Sequence, residues 1–450
     1  MTKNMTEGKP LRLILLFALP VLCGNLFQNF YNIVDSVIVG RFLGVNALAA
    51  VGSTTSLTFL VIGWVMGMTN GFGILIAQAF GAENRFLLKH YTAMSMYLCT
   101  ILAIVMTGAL LIANDSILHL INTPDTIFSD TSKYTAIIYA GVPVSFLYNM
   151  LASIARSLGD SKTPLYFLVI SSLLNIALDF LFVAVLPFGV AGAAYATVIA
   201  QGVSAVLCLI YTWKKFPIIH FHKEEMKFSL RSAGNLFSMG VPMALQFSIT
   251  AIGTMIVQSA LNLLGATYIA AYAAASKIQS VIMQFFVALG SALATYTGQN
   301  YGAGKTERIH QGLSSSFIIS IVYSIGVMTV AYFLCPLMVR LFVSDPTGEL
   351  QQIATHMFHI SLWFYPFLGL IFLYRNVLQG LGNGLIPMLG GVFELLARGL
   401  AVFLLAKPFG FTGICFSDPA AWIFALIPLI PYYYWWTKRK NSPFQEIEKA

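Results

Sequence analysis

PLYFLVISSLLNIALDFLFVAVLP, Pro164–Pro187, is an almost wholly apolar run of membrane-spanning length, interrupted by Asn175 and Asp179. Four residues apart, these two side chains stack on one face of a helix and meet whatever that face meets. A carboxylate at the centre of such a helix costs roughly 2.5–3.5 kcal/mol, so Asp179 points inward and marks an ion or proton pathway. Its natural partner is Asp35, in Tyr31-Asn32-Ile33-Val34-Asp35 near the end of the first apolar run. Two carboxyls in one dry pocket disfavour the doubly ionised form through desolvation and mutual repulsion, which is how a membrane protein builds a proton switch.

The rest of the chain has the same character. Of 450 residues, 58% are hydrophobic and 9% charged, against about 25% charged in a soluble domain. Apolar runs of about 20 residues imply spanning helices, since barrel strands show about 10 residues of alternating character. Spans are expected to start near Leu11, Thr54, Leu88, Tyr134, Pro164, Gly192, Phe237, Tyr268, Gly312, Met357, Pro387 and Gly413, twelve in all. The five Cys lie in or beside these runs with no metal spacing, and Met1–Leu11 carries no small-residue cleavage site.

The net charge of +8 is distributed by topology, not as a nucleic-acid surface. Basic residues cluster at alternate connections: Lys3, Lys9 and Arg12; Arg85 and Lys89; Arg156 and Lys162; Lys214 to Arg231; Lys305 and Arg308; Lys438, Arg439 and Lys440. The other connections hold only Arg41, Lys133, Arg340 and Lys407. The positive-inside rule then puts both termini and the His220–Arg231 linker in the cytoplasm of a multi-pass plasma (inner) membrane protein.

The linker separates halves that read alike. Leu19-Pro20 recurs as Val241-Pro242, Leu43-Gly44 as Leu264-Gly265, and Ala77–Ala82 as Gly298–Ala303. Leu158-Gly159-Asp160 recurs as Leu381-Gly382-Asn383, and Pro187-Phe188-Gly189 as Pro408-Phe409-Gly410. An offset that stays near 221 to 223 residues throughout marks an internal repeat. Six helices per half is an even number, so the halves are parallel repeats: residues 1–215, a linker at 216–231, and residues 232–450 with a short cytoplasmic tail. A cavity between two such lobes would give alternating access by rocking.

Together, Pro20, Tyr31 and Asp35, Leu43-Gly44 with Leu48-Ala49-Ala50, Gln78-x-Phe80-Gly81-Ala82, Arg156-x-x-Gly159-Asp160 and Asn175-x-x-x-Asp179 resemble the multidrug and toxic compound extrusion (MATE) family from about Leu11 to Tyr434. The resemblance implies an all-α membrane protein of two six-helix lobes in a V, acting as a secondary antiporter that exports amphipathic organic cations in exchange for protons or sodium. It carries the cation-coupling role onto Asp35, Asn175 and Asp179 and a lesser role onto Tyr31, Asn149 and Thr197. The sodium-coupled NorM-like branch also has carboxylates in its seventh and tenth helices. This chain has none there, so it is closer to the DinF and MepA-like branches, with coupling in one lobe.

Other features have blander readings. Pro20 removes a helix hydrogen bond and allows a kink. Glu394 and Arg398, four apart with Glu first, are expected to form a structural ion pair. Lys277 and Arg375 are expected to pack or snorkel as lone cations. Gly298–Thr306 looks like a P-loop, but its spacing is wrong by one and a helix precedes it where a strand belongs, so no ATP is expected. His220 and His222 are expected to be solvated. No enzyme motif is visible, and no cofactor, metal (apart from sodium at the coupling site) or nucleic-acid partner is expected; the chain is expected to act as a monomer. The remaining alternatives are a lipid-linked precursor flippase of related fold, which needs basic residues lining its cavity, a major-facilitator transporter, whose Gly-x-x-x-Asp-Arg pattern is missing, and a membrane-embedded enzyme or scaffold.

Overall fold

The computed structural model describes residues 4–186, 188–216, 220–340 and 348–438. Lys3, Arg439, Lys440 and Pro187, used above for topology and repeat, lie outside them. The described chain is a succession of helices: α1 Pro10–Leu43, α2 Val45–Ser53, α3 Thr55–Gly81, α4 Arg85–Leu120, α5 Asp125–Ala140, α6 Val142–Ser157, α7 Lys162–Asp179, then a π-helical turn Phe180–Val185 and α8 Gly189–Lys215. After the linker come α9 Leu230–Asn262, α10 Ala266–Gly302, α11 Thr306–Arg340, α12 Glu349–Leu362, α13 Tyr365–Gly380, α14 Leu385–Cys415 and α15 Ser417–Lys438.

Among the described residues, nine helical stretches are long and apolar enough to span a membrane, and the bent pairs α5–α6 (43°) and α12–α13 (53°) raise this to eleven. The twelfth expected span is α15, 22 residues long, whose Pro419, Pro428 and Pro431 and run of Tyr and Trp dilute its apolar character. It begins after Phe416, not at Gly413. Gly413 lies inside α14, where its missing Cβ admits the Leu405 carbonyl.

The internal repeat is written into the backbone. Left-handed φ values recur in pairs: Gly44 (88°) with Gly265 (101°), Glu83 (56°) with Gly304 (70°), Gly159 (84°) with Gly382 (86°), and Gly189 (61°) with Gly410 (56°). Glycine tolerates this region because it has no Cβ. At the Gly159 corner, Asp160 Oδ1 accepts from the amide of Thr163 at 3.1 Å, and Tyr211 donates to Asp160 Oδ2 at 3.1 Å. At the matching corner, Asn383 Oδ1 accepts from the amide of Ile386 at 3.0 Å, and Asn383 Nδ2 donates to Tyr432 at 2.7 Å. Each short polar side chain covers orphan donors at a helix start, and each is anchored by a Tyr from the last helix of its half.

The chain forms two compact units. The first holds Cys23–Ala244 and the second Met5–Leu22 with Leu245 onward. Division therefore falls inside α1 and α9, each time two residues after the helix proline, Pro20 or Pro242. In the first unit, the early part of α9 crosses α3 at backbone contact, where Gly71 leaves room for Gly240. A separate small core of Ile38, Val39, Tyr134, Ile138, Val183 and Ala193 joins α1, α5, the π-turn and α8.

Candidate functional site

Within the first unit, α1 and α7 carry Asp35 and Asp179 to one place beside that small core. The two carboxyls lie in electrostatic range of each other. Carboxylates only accept, so they could bond each other only with a proton on one. Asp179 is fully buried and Asn175 is 3% exposed, whereas Asp35 is half-buried. Asn175 Nδ2 donates to Thr197 Oγ1 of α8 at 3.4 Å, and Thr197 Oγ1 donates to the Ala193 carbonyl at 3.1 Å.

This fixes the amide so that its oxygen is left over. Asn175 Oδ1, Asp35 Oδ1 and both oxygens of Asp179 are buried without a hydrogen-bond donor. Buried acceptors without partners are costly, and a cluster of them is stabilised by a positive charge or by protons. Tyr31 lies in electrostatic range of both carboxyls and shares a hydrogen bond with Gln28. Tyr134 of α5 lies in range of Asp35, Asp179 and Tyr31, and sequence reasoning passed it over as one of 20 Tyr. Asn149 serves its own helix: its Nδ2 donates to the Ser145 carbonyl at 2.9 Å.

Immediately after Asp179 the helix widens into the π-turn, with the Leu186 amide donating to the Leu181 carbonyl at 2.7 Å. Such turns arise where a helix carries extra residues. Thirty residues separate Gly159 from Gly189, against twenty-eight between Gly382 and Gly410, so the surplus falls in the half that holds the acid pair. Gly192 accommodates it: a Cβ there would lie 2.9 Å from the Phe182 carbonyl oxygen. Pro20, proposed above as a kink, lies within a continuous α1.

The second unit closes its charges differently from expectation. Glu394 pairs with Arg375 of α13, and Arg398 Nε with Asp418 Oδ1 of α15 at 3.0 Å, so the Glu394–Arg398 pair is replaced by two bridges between helices. Tyr272 adds a bond to Asp418 Oδ2 at 3.4 Å. Arg375 is therefore no lone cation. Facing helices present partners across a packed interface, and Gly253 leaves the space that Arg398 Nη1 enters. Lys277 is exposed.

The polar segments before α1 and α9 are held by residues on and beside the turns that follow the second span of each half, with Lys89 and His90 in the first turns of α4. The turn resembling a P-loop holds the amino-terminal segment: the Met5 amide donates to Gln299 Oε1 at 2.8 Å, Lys305 Nζ donates to the Thr6 carbonyl at 3.1 Å, and Arg308 donates to the Gly8 carbonyl at 3.0 Å. In the first unit, Lys89 pairs with Glu225 at 3.1 Å, and His90 bridges the Glu225 carbonyl and Ser232 Oγ, both at 2.9 Å. Burial works to raise the Glu225 carboxyl, but the His222 amide and the Lys89 ammonium outweigh it and hold it below its ordinary range. His220 Nε2 bonds the Trp213 carbonyl and His222 gives its amide to Glu225. Among the described residues, no three His, Cys, Asp or Glu side chains form a metal-binding group.

Comparison with known proteins adds a family and a fold. The MatE family model matches residues 20–181 and 242–400. The probable multidrug resistance protein YoeA of Bacillus subtilis is 28% identical over 450 residues, covering 98% of this chain and 97% of its own. The probable multidrug resistance protein YpnP of the same organism is 27% identical over 407 residues, covering 90% and 89%. Among solved structures, the outward-facing form of a multidrug resistance MATE family transporter of the MOP superfamily matches with a TM-score of 0.90 at 21% identity, over 97% of each chain.

Proposed function

This chain belongs to the MatE family, the multidrug and toxic compound extrusion transporters, and from that premise we propose that it is a secondary antiporter exporting small amphipathic organic cations in exchange for protons or sodium. The observation that carries the reading is the convergence of Asp35 Oδ1, Asp179 Oδ1 and Oδ2, and Asn175 Oδ1 without a donor. Four buried acceptor oxygens make a site for positive charge, whether it arrives as a proton, a sodium ion or a substrate cation. Occupancy by one excludes another, and that exclusion is the chemistry of exchange. Asp35 and Asp179 would hold the coupling charge, with Asn175 oriented by Thr197 as a neutral ligand, and Tyr31 and Tyr134 closing the pocket.

The charge alternation along the chain supports cytoplasmic termini in a plasma membrane protein. Neither α9 nor α13 contains a carboxylate, which supports coupling through the first unit. A flippase for anionic lipid precursors finds less support, because Arg375 and Arg398 are closed on acids and Arg156 donates to Asn70 Oδ1 at 3.0 Å.

Ethidium efflux from vesicles under an imposed proton gradient, an imposed sodium gradient, or neither tests the proposal. Efflux is expected with one of the ion gradients and not without; efflux indifferent to both overturns it.

A further inference from the structure

Between Cys23 and Leu43, α1 belongs to the first unit and presents three sectors. Leu26, Phe27, Phe30, Ile33 and Val37 are exposed and apolar, which suits acyl chains. Ile38 and Val39 are buried, and Asp35 lies on this packed side. The third sector holds Asn25, Asn29 and Asn32, at i, i+4 and i+7 on one face. Asn32 is exposed, and Asn25 and Asn29 are half-buried.

Three carboxamides in a row on a membrane-spanning helix cannot face hydrocarbon without leaving their donors and acceptors unsatisfied, so the sector faces a polar path. The row does not satisfy itself. Asn29 Nδ2 is buried and has no acceptor, and Ser36 donates to the Asn32 backbone carbonyl at 2.9 Å, not to an amide of the row. Asn32 stands three residues before Asp35, so the amides end at the acid pair.

A site for a cation that was merely lipophilic would be completed by aromatic and aliphatic walls. We propose that Asn25, Asn29 and Asn32 are specificity-determining residues that receive cations carrying amide or hydroxyl groups of their own, with the charge directed to Asp35 and Asp179 and the neutral polar groups bonded along the row. The complementarity is twofold: buried acceptor oxygens at one end suit a positive charge, and the unpartnered amide donor of Asn29, nearly two turns before Asp35, suits a carbonyl or hydroxyl oxygen on the same molecule. The inference rests on the antiport reading and adds the substrate class.

The test uses full-length protein in vesicles and two probes: procainamide, an amide-bearing cation, and tetraphenylphosphonium, a cation with no hydrogen-bonding group. Losing a hydrogen bond to a buried partner changes rates by roughly tenfold. In Asn29→Leu and Asn32→Leu the ratio of procainamide to tetraphenylphosphonium efflux is expected to fall about tenfold from wild type. Asn32→Gln, which keeps the amide, should restore most of it, and Phe30→Leu on the lipid sector should leave the ratio as it was. Folded yield by size-exclusion chromatography accompanies each variant, and because the readout is a ratio, a partial loss of protein does not alter it. If wild type moves tetraphenylphosphonium against a gradient but the ratio is unaffected by Asn29→Leu and Asn32→Leu, the amide row is overturned while the antiport reading stands. If wild type moves neither probe under either ion gradient, both are overturned.

Discussion

The two units share a backbone plan and treat buried charge in opposite ways. In the first, Asp35 and Asp179 face each other beside Asn175, and four of their oxygens find no donor. In the second, Glu394 and Asp418 each have an arginine, and the pairs tie α13, α14 and α15 together. A closed ion pair is costly to open, because removing either member strands the other in a low dielectric. An open cluster of acceptors is costly to leave empty. On the antiport reading proposed above, the first arrangement is the one suited to exchange its counter-charge, while the second holds its own in two closed pairs.

Asp179→Asn is the sharpest way to break this contrast. It keeps shape and hydrogen-bonding capacity but cannot ionise, so the protein should insert normally while gradient-driven efflux stops. Detergent-solubilised wild type should release protons on binding a cationic dye if the coupling ion is a proton, and the variant should release fewer. Undiminished efflux by Asp179→Asn would remove the acid pair from the mechanism.

Glu394→Gln should act on the other half and on another property. Arg375, deprived of its carboxylate, is left buried and uncompensated, a loss of about 3–5 kcal/mol that appears as reduced folded yield. Protein that survives should still transport. Replacing Arg375 and Glu394 together by Met and Leu should recover yield, since a packed apolar pair removes the stranded charge. Normal yield with abolished transport in Glu394→Gln would mean that the second unit also exchanges charge.

The smallest effect is expected where Lys89 meets Glu225, at the latch that holds the linker. The folded carboxyl sits below its ordinary range, so its stabilisation is complete above the unfolded value and disappears as pH falls through the depressed folded one. The two side chains are only 14% and 11% exposed, so the pair is screened less than fully solvated ones, which contribute about 0.2–1 kcal/mol. Melting temperatures of wild type and Glu225→Gln should differ by a few degrees at pH 7 and converge under acid; a gap that widens on acidification would reverse the sign.

How much of this was legible in the sequence depended on whether a signal was local. The repeat could be read from dipeptides, because Gly44, Gly159 and Gly189 occupy φ values that other residues avoid. The acid pair could be read because a carboxylate in a spanning helix is conspicuous anywhere. Glu394 with Arg398 misled, since adjacency along one helix says nothing about which neighbour crosses from another, and Arg375 and Asp418 do. Asn149 bonds the Ser145 carbonyl of its own helix, a contact that its sequence position alone does not announce. Tyr134 carries no pattern of its own, and it joins the site only once α5 is packed beside α1.

Where α1 and α9 are divided has a consequence for ancestry and for engineering. A chain cut at the linker would leave each fragment carrying the opening half-helix that completes the other, Met5–Leu22 on one and the stretch before Leu245 on the other. An ancestral single half, folded in this way, would have been complete only as a pair of copies exchanging their first half-helices, in the manner of a domain-swapped dimer. Gene fusion would then have joined partners that were already interdependent.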